Sequence, residues 1–206
     1  MSLHFSRVAA FVLACFIASC SGDRAGEPKG ADTAMTADDS VQTQAGGVMV
    51  SSVEGRFSIR MPEGFSNPRE GRIPLVADGD TTMMTSYTVE RDSTAFVVAF
   101  TEMRSPQKLV NAGQVFDMAR DASLRNISGT LERQESLMLN GYPGRSIFFT
   151  GTMDSVTYSG RADFYLAMPR LYQLYYISSD RQSVNSPAVS ASFSSFRLLD
   201  SAAATP

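Results

Sequence analysis

Val156-Thr157-Tyr158-Ser159-Gly160-Arg161-Ala162-Asp163-Phe164-Tyr165-Leu166-Ala167-Met168 decides the fold, because it alternates. Val156, Tyr158, Ala162, Phe164 and Leu166 share one face of an extended chain, and Arg161, Asp163 and Tyr165 share the other. A period of two is what a β-strand imposes. Residues 145–153 and 171–178 flank this run and also read as strands, so the three predict a meander. Upstream lie another strand over residues 131–139 and the turn cluster Gly141-Tyr142-Pro143-Gly144.

Nearer the N-terminus, Phe57, Ile59 and Met61 alternate with Arg56, Ser58 and Arg60, a half-buried strand ended by Pro62 and Gly64. Residues 66–80 hold Pro68, Gly71, Pro74 and Gly79 and read as a long loop with one short strand. Residues 83–90 and 94–103 read as two strands joined by a tight turn around Arg91-Asp92-Ser93. Residues 95–100 are apolar on both faces, the pattern of a central strand covered on both sides. Ser105-Pro106 supplies an N-cap and a first-turn proline, and Leu109, Ala112, Val115, Phe116, Ala119 and Ala122 form one stripe. A helix is therefore expected from there to Asn126. Ser186-Pro187 opens a short last helix with Val189, Phe193 and Phe196 on one side. The sum is an α+β fold, an antiparallel sheet of about six to seven strands packed against helices.

Across 206 residues, 18 Lys+Arg stand against 21 Asp+Glu, for a net charge of -3. That balance offers neither the basic stripe of a nucleic-acid binder nor a polybasic patch for anionic lipid, so no nucleic-acid partner is expected. The two cysteines are Cys15 and Cys20, and the single histidine is His4. Downstream of Cys20 the chain therefore holds no disulfide, no thiol nucleophile, no Ser-His-Asp triad, and no metal site built on Cys or His. No cofactor and no metal are expected.

The first residues explain that distribution. Residues 8–18 are uncharged and too short to span a membrane, which takes about 20 apolar residues. They end in Ile17-Ala18-Ser19-Cys20, which resembles a bacterial lipobox. Val12-Leu13-Ala14-Cys15 is a rival, but small residues precede Cys20 and leave the apolar stretch a workable length. The resemblance implies that Cys20 is acylated and becomes the first residue of the mature chain, with two or more acyl chains giving stable anchoring. Ser21 stands where Asp would favour inner-membrane retention, so the outer membrane is expected, with the domain in the periplasm. The organisation expected is a signal peptide over residues 1–19, a flexible tether over 20–47, a globular domain over 48–200 and a disordered tail over 201–206. The tether is rich in Gly, Ala, Thr, Asp and Ser and lacks aromatic residues before Val48.

Several segments resemble PsbP-like domains and the related DcrB lipoproteins. They are Arg56-Phe57-Ser58-Ile59-Arg60-Met61-Pro62, Leu139-Asn140-Gly141-Tyr142-Pro143-Gly144-Arg145, Arg170-Leu171-Tyr172-Gln173-Leu174 and Phe193-Ser194-Ser195-Phe196. The resemblance covers residues 48–199 and implies a PsbP-like α/β/α sandwich that binds or assembles rather than catalyses. PsbP itself supports the oxygen-evolving complex partly through His-dependent metal contacts, and the lack of His here means that role does not carry over.

Three local patterns invite chemistry. Ser105-Pro106-Gln107-Lys108 matches S-x-x-K, in which an amine activates a hydroxyl, but no S-D-N or K-T-G follows. Asp78-Gly79-Asp80 fails the EF-hand pattern and reads as a turn. Asn126-Ile127-Ser128 is a sequon that a bacterial lipoprotein would not normally use. The candidate binding surface is instead Tyr142, Arg145, Arg161, Tyr165, Arg170 and Tyr172, which belong to one meander and suit a carboxylate, a glycan or a partner protein. The same residues also suit an ordinary strand face, with Asp163 pairing an Arg. The function expected is a non-enzymatic binding or assembly module with an envelope-protein partner. The alternatives are a small-ligand carrier for lipid or glycan, and a serine hydrolase using Ser105 and Lys108.

Overall fold

The computed structural model describes residues 40–44, 47–77, 80–103 and 111–199. In chain order it holds β1 (Ser40–Gln44), β2 (Gly47–Ser52), β3 (Phe57–Arg60), β4 (Arg69–Ala77), β5 (Asp80–Arg91) and β6 (Thr94–Glu102). Helix α1 (Ala112–Asn126) precedes β7 (Thr130–Leu139), β8 (Tyr142–Met153), β9 (Val156–Ala167) and β10 (Arg170–Ser178). A 3-10 turn (Arg181–Asn185), α2 (Pro187–Ser194) and β11 (Arg197–Leu198) close the chain.

The meander β8-β9-β10 builds half of a seven-stranded sheet in the order β4-β5-β6-β10-β9-β8-β7. Every pairing in it is antiparallel. β6 sits inside the sheet because its side chains are buried on both faces, the pattern its sequence predicts. Alternation along the strands then makes two cores. Ala95, Val97, Ile147, Phe149, Ala162, Phe164 and Tyr175 face α1, which contributes Val115, Phe116 and Ala119. Phe96, Val98, Phe100, Tyr165, Tyr172 and Leu174 face the other way. There they meet a small sheet, order β1-β2-β3-β11, together with Val189 and Phe193 of α2. Each fully buried aromatic or branched side chain contributes roughly 1.5–3 kcal/mol of burial. The α+β class and the antiparallel seven-stranded sheet agree with the sequence reading, with one layer shared between a helix and a small sheet.

Four local readings are corrected. The turn expected at Gly141-Tyr142-Pro143-Gly144 is the Asn140-Gly141 pair, with φ of 50° and 84°. Leu139 pairs with Tyr142 across it, so Tyr142 already belongs to β8; Asn-Gly with both φ positive is the two-residue hairpin that suits strand twist. Residues 66–80 are not mainly loop, since Arg69–Ala77 is a strand carrying Pro74. Pro is tolerated there because β4 pairs only with β5 and lies at the sheet edge. The long helix starts at Ala112 rather than at Pro106. Asn111 is extended (φ -163°, ψ 152°), and its side chain caps the helix by accepting from the Gln114 N–H. Lastly, β1 pairs with β2 inside the stretch read as tether, so ordered backbone begins before Val48.

Candidate functional site

Of the six residues expected as a binding surface, five lie on one face of the large sheet and Arg145 lies on the other. Arg145 points to the α1 side, because β8 alternates and its odd positions face the helix. Its Nη1 lies 2.5 Å from Asp117 Oδ1, and its guanidinium sits 5.6 Å from the Phe116 ring centroid. The Arg145 hydrogen bond holds the Asp117 carboxyl below the usual carboxylate range. Arg161, Tyr165, Arg170 and Tyr172 share the opposite face, under the small sheet. Tyr142 lies on that face as well, at its exposed end, with 44% of its surface open.

On that face, packing uses up most of the chemistry. Asp163 is buried and accepts from Arg161 through both oxygens, at 2.9 and 2.7 Å, and from Ser146 Oγ at 2.6 Å. The Arg161 guanidinium lies 4.1 Å over the ring of Phe193 in α2. Tyr165 stacks on Phe196 at 5.7 Å, with the ring planes 16° apart. Burial pushes its phenol far above the ordinary tyrosine range, with Asp163 adding to the effect. The Tyr172 hydroxyl donates to the Gly55 carbonyl at 2.8 Å, and its ring meets Phe57 and Phe196 edge-on. Burial raises this phenol too, partly offset by Arg170. Arg170 Nη2 lies 3.6 Å from Glu102 Oε2. Gly55 is required at its place, since a Cβ would fall 2.7 Å from the Phe57 ring and 2.8 Å from the Phe100 ring. The arrangement is a lock between two sheets, and ring contacts fill the space an apolar ligand would need.

Ser105, Lys108, Asp78 and Gly79 lie outside the described residues, as do Cys20 and the segment around it. Among the described residues, no group of His, Cys, Asp and Glu gathers to hold a metal, and no helix is long and apolar enough to cross a membrane. Shallow depressions lie among the described residues. One, of about 240 Å³, is lined by Pro62, Phe65, Arg91, Tyr176 and Val189. Another, of about 370 Å³, lies at the end of α1 around Leu124, Arg125 and Gly129.

Sequence reasoning missed a different grouping. Val53, Met83, Met138, Tyr142, Met168 and Leu199 are all exposed large apolar residues. The register brings them to one end of the molecule. Met138 and Tyr142 flank the β7–β8 turn, Met168 lies in the β9–β10 turn, and Arg170 pairs with Glu102 beside it. Met83 pairs with Pro74 on the adjoining strand ends, where Thr82 Oγ1 donates to the Glu102 carbonyl. Val53 belongs to the β2–β3 turn that Tyr172 holds, and the Leu199 N–H donates to Arg56 in that same turn. No spacing in the sequence signals this set, because each member comes from a separate turn or strand end.

No protein-family model and no curated protein matches the chain. Among solved structures, the solution structure of cyanobacterial PsbP from Synechocystis sp. PCC 6803 is similar, with a TM-score of 0.49 and 14% identity. It covers 83% of this chain and 99% of that one. A Pseudomonas aeruginosa protein of unknown function is similar with a TM-score of 0.33 and 12% identity, over 73% of this chain and 85% of that one. The class the architecture defines is an α+β domain, a seven-stranded antiparallel sheet between a helix and a small sheet.

Proposed function

We propose that this chain is a lipid-anchored lipoprotein of the bacterial cell envelope, and that its domain is a non-enzymatic module that binds or assembles with another envelope component. The observation that carries the reading is Cys20. It ends the uncharged stretch 8–18 in a lipobox-like motif, and no Cys or His follows it. The distribution fits a mature chain that begins at Cys20 and whose single thiol is used in processing, after which the domain works through its surface. The locking role of Arg161, Tyr165 and Tyr172 supports the same view, because these side chains are engaged in packing rather than presented to a substrate. The outer membrane is the proposed site, with the domain on its periplasmic side.

Mass spectrometry of the membrane-extracted protein tests the anchor. A mature N-terminus at Cys20 carrying acyl mass is expected; a soluble species cut elsewhere overturns it. Crosslinking of the anchored protein in intact cells tests the module. A reproducible envelope-protein adduct is expected, whereas turnover of an added ester or amide substrate would overturn the non-enzymatic reading.

A further inference from the structure

We infer that the apolar end of the domain, formed by Val53, Met83, Met138, Tyr142, Met168 and Leu199, rests against the lipid surface that holds the anchor. The inference builds on the lipid-anchor reading and adds an orientation to it.

Three observations converge. The first is where apolar surface is exposed. Six of the eight large apolar residues exposed among the described residues lie at this end, while Val156 marks the far end and Met118 the outer face of α1. The second is where the chain enters the fold. Ser40 pairs with Ser51, close to the β2–β3 turn at the apolar end, whereas Gln44 pairs with Gly47 at the other end of β1. The segment from Cys20 thus joins the domain at the apolar end. The third is length. About 20 residues separate Cys20 from Ser40, and a flexible chain of that length has a root-mean-square span of roughly 25 Å. β8 and β9 each run 12 residues, so the sheet is about 40 Å long. An inverted domain would stretch the connection along the whole sheet. The upright one leaves it relaxed.

The chemistry of this end suits an interface. Tyr142 offers a ring with a polar tip, the form that settles at the level of lipid headgroups. Methionines adapt their shape to irregular apolar surroundings. Arg56 is exposed in the β2–β3 turn and can meet phosphate, while Arg170 is already beside Glu102. With so few cations, contact would be mainly apolar, and the acyl chains would supply the affinity while the tip supplies the orientation.

The chain has no cysteine after Cys20, so single-cysteine labels on the mature protein are unambiguous. Full-length acylated protein is placed in vesicles of phosphatidylethanolamine with a minor fraction of phosphatidylglycerol. An environment-sensitive fluorophore is attached at Met168→Cys, or at Val156→Cys as the far-end control. Lipid-borne quencher is expected to quench the Met168 label at least about twofold more than the Val156 label, and Tyr142→Glu is expected to abolish the difference without lowering stability. Equal quenching in protein shown to be acylated overturns the orientation and leaves the anchor standing. A difference that arises only after envelope proteins are added also overturns it, assigning the tip to a protein partner. Protein with no acyl mass overturns both readings.

Discussion

The phenol of Tyr172 donates a 2.8 Å hydrogen bond to the carbonyl of Gly55, joining β10 of the large sheet to the β2–β3 turn of the small one. Both partners are buried. Tyr172→Phe keeps the ring and removes the donor, leaving a buried carbonyl unsatisfied. The expected loss is about 1–3 kcal/mol of stability, read as a lower urea midpoint at unchanged slope.

Phe57 lies within ring-contact distance of Tyr87, Phe100, Tyr172 and Phe196, so it is the hub of the inter-sheet core. Phe57→Ala is expected to cost about 3–5 kcal/mol, through lost burial and the cavity left behind. Thermal unfolding followed by near-ultraviolet circular dichroism would register it. A loss no larger than that of a surface substitution would mean the two sheets do not share a core.

Arg161→Ala is expected to be far from neutral. It strips the buried Asp163 carboxylate of both guanidinium hydrogen bonds, which Ser146 does not replace. Breaking a buried pair from one side costs about 3–5 kcal/mol, whereas exposed pairs are worth little. Arg181→Ala, whose bridge to Glu132 is largely exposed, provides the contrast in the same denaturation assay.

The buried tyrosines set an alkaline limit. Tyr158, Tyr165 and Tyr172 all have folded pKa values raised above the ordinary 10.0, chiefly by burial. A raised folded value leaves their contribution intact below pH 10 and removes it as pH rises past 10, where unfolded phenols ionise and folded ones do not. Denaturation midpoints should be flat around neutrality and fall above that pH. Tyr165→Phe should flatten the decline, and phenolate absorbance should lag in the folded protein.

Asn111, not Ser105, caps α1. Asn111→Ala is expected to cost about 1 kcal/mol, visible as a lower melting temperature, while Ser105→Ala leaves the helix start unchanged.

These tests separate what was legible in the chain from what was not. Ala95 to Phe100 announced a strand buried on both faces, and Ser186-Pro187 announced the last helix, because burial and capping leave local marks. β4 hid behind Pro74 and Gly71, residues that speak against a strand unless an edge position excuses them. Extended backbone at Asn111 is likewise a φ/ψ choice that Ser105-Pro106 gave no hint of. Among the six Arg and Tyr residues, sequence placed them on the right strands. It could not show that Tyr165 and Tyr172 are covered, since the cover comes from Phe57 and Phe196, which lie far apart in the chain.

By itself, the sequence determined the class, the strand periodicity and the exclusion of cysteine and histidine chemistry beyond Cys20. Each depends only on residue type and spacing along one strand, helix or motif. Tertiary structure alone decided which faces are covered and which turns meet, because both depend on contacts between residues far apart in the chain. That is why Gly55 and Tyr172 lock two sheets together, and why Val53, Met83, Tyr142 and Met168 share an end that no local pattern foretells.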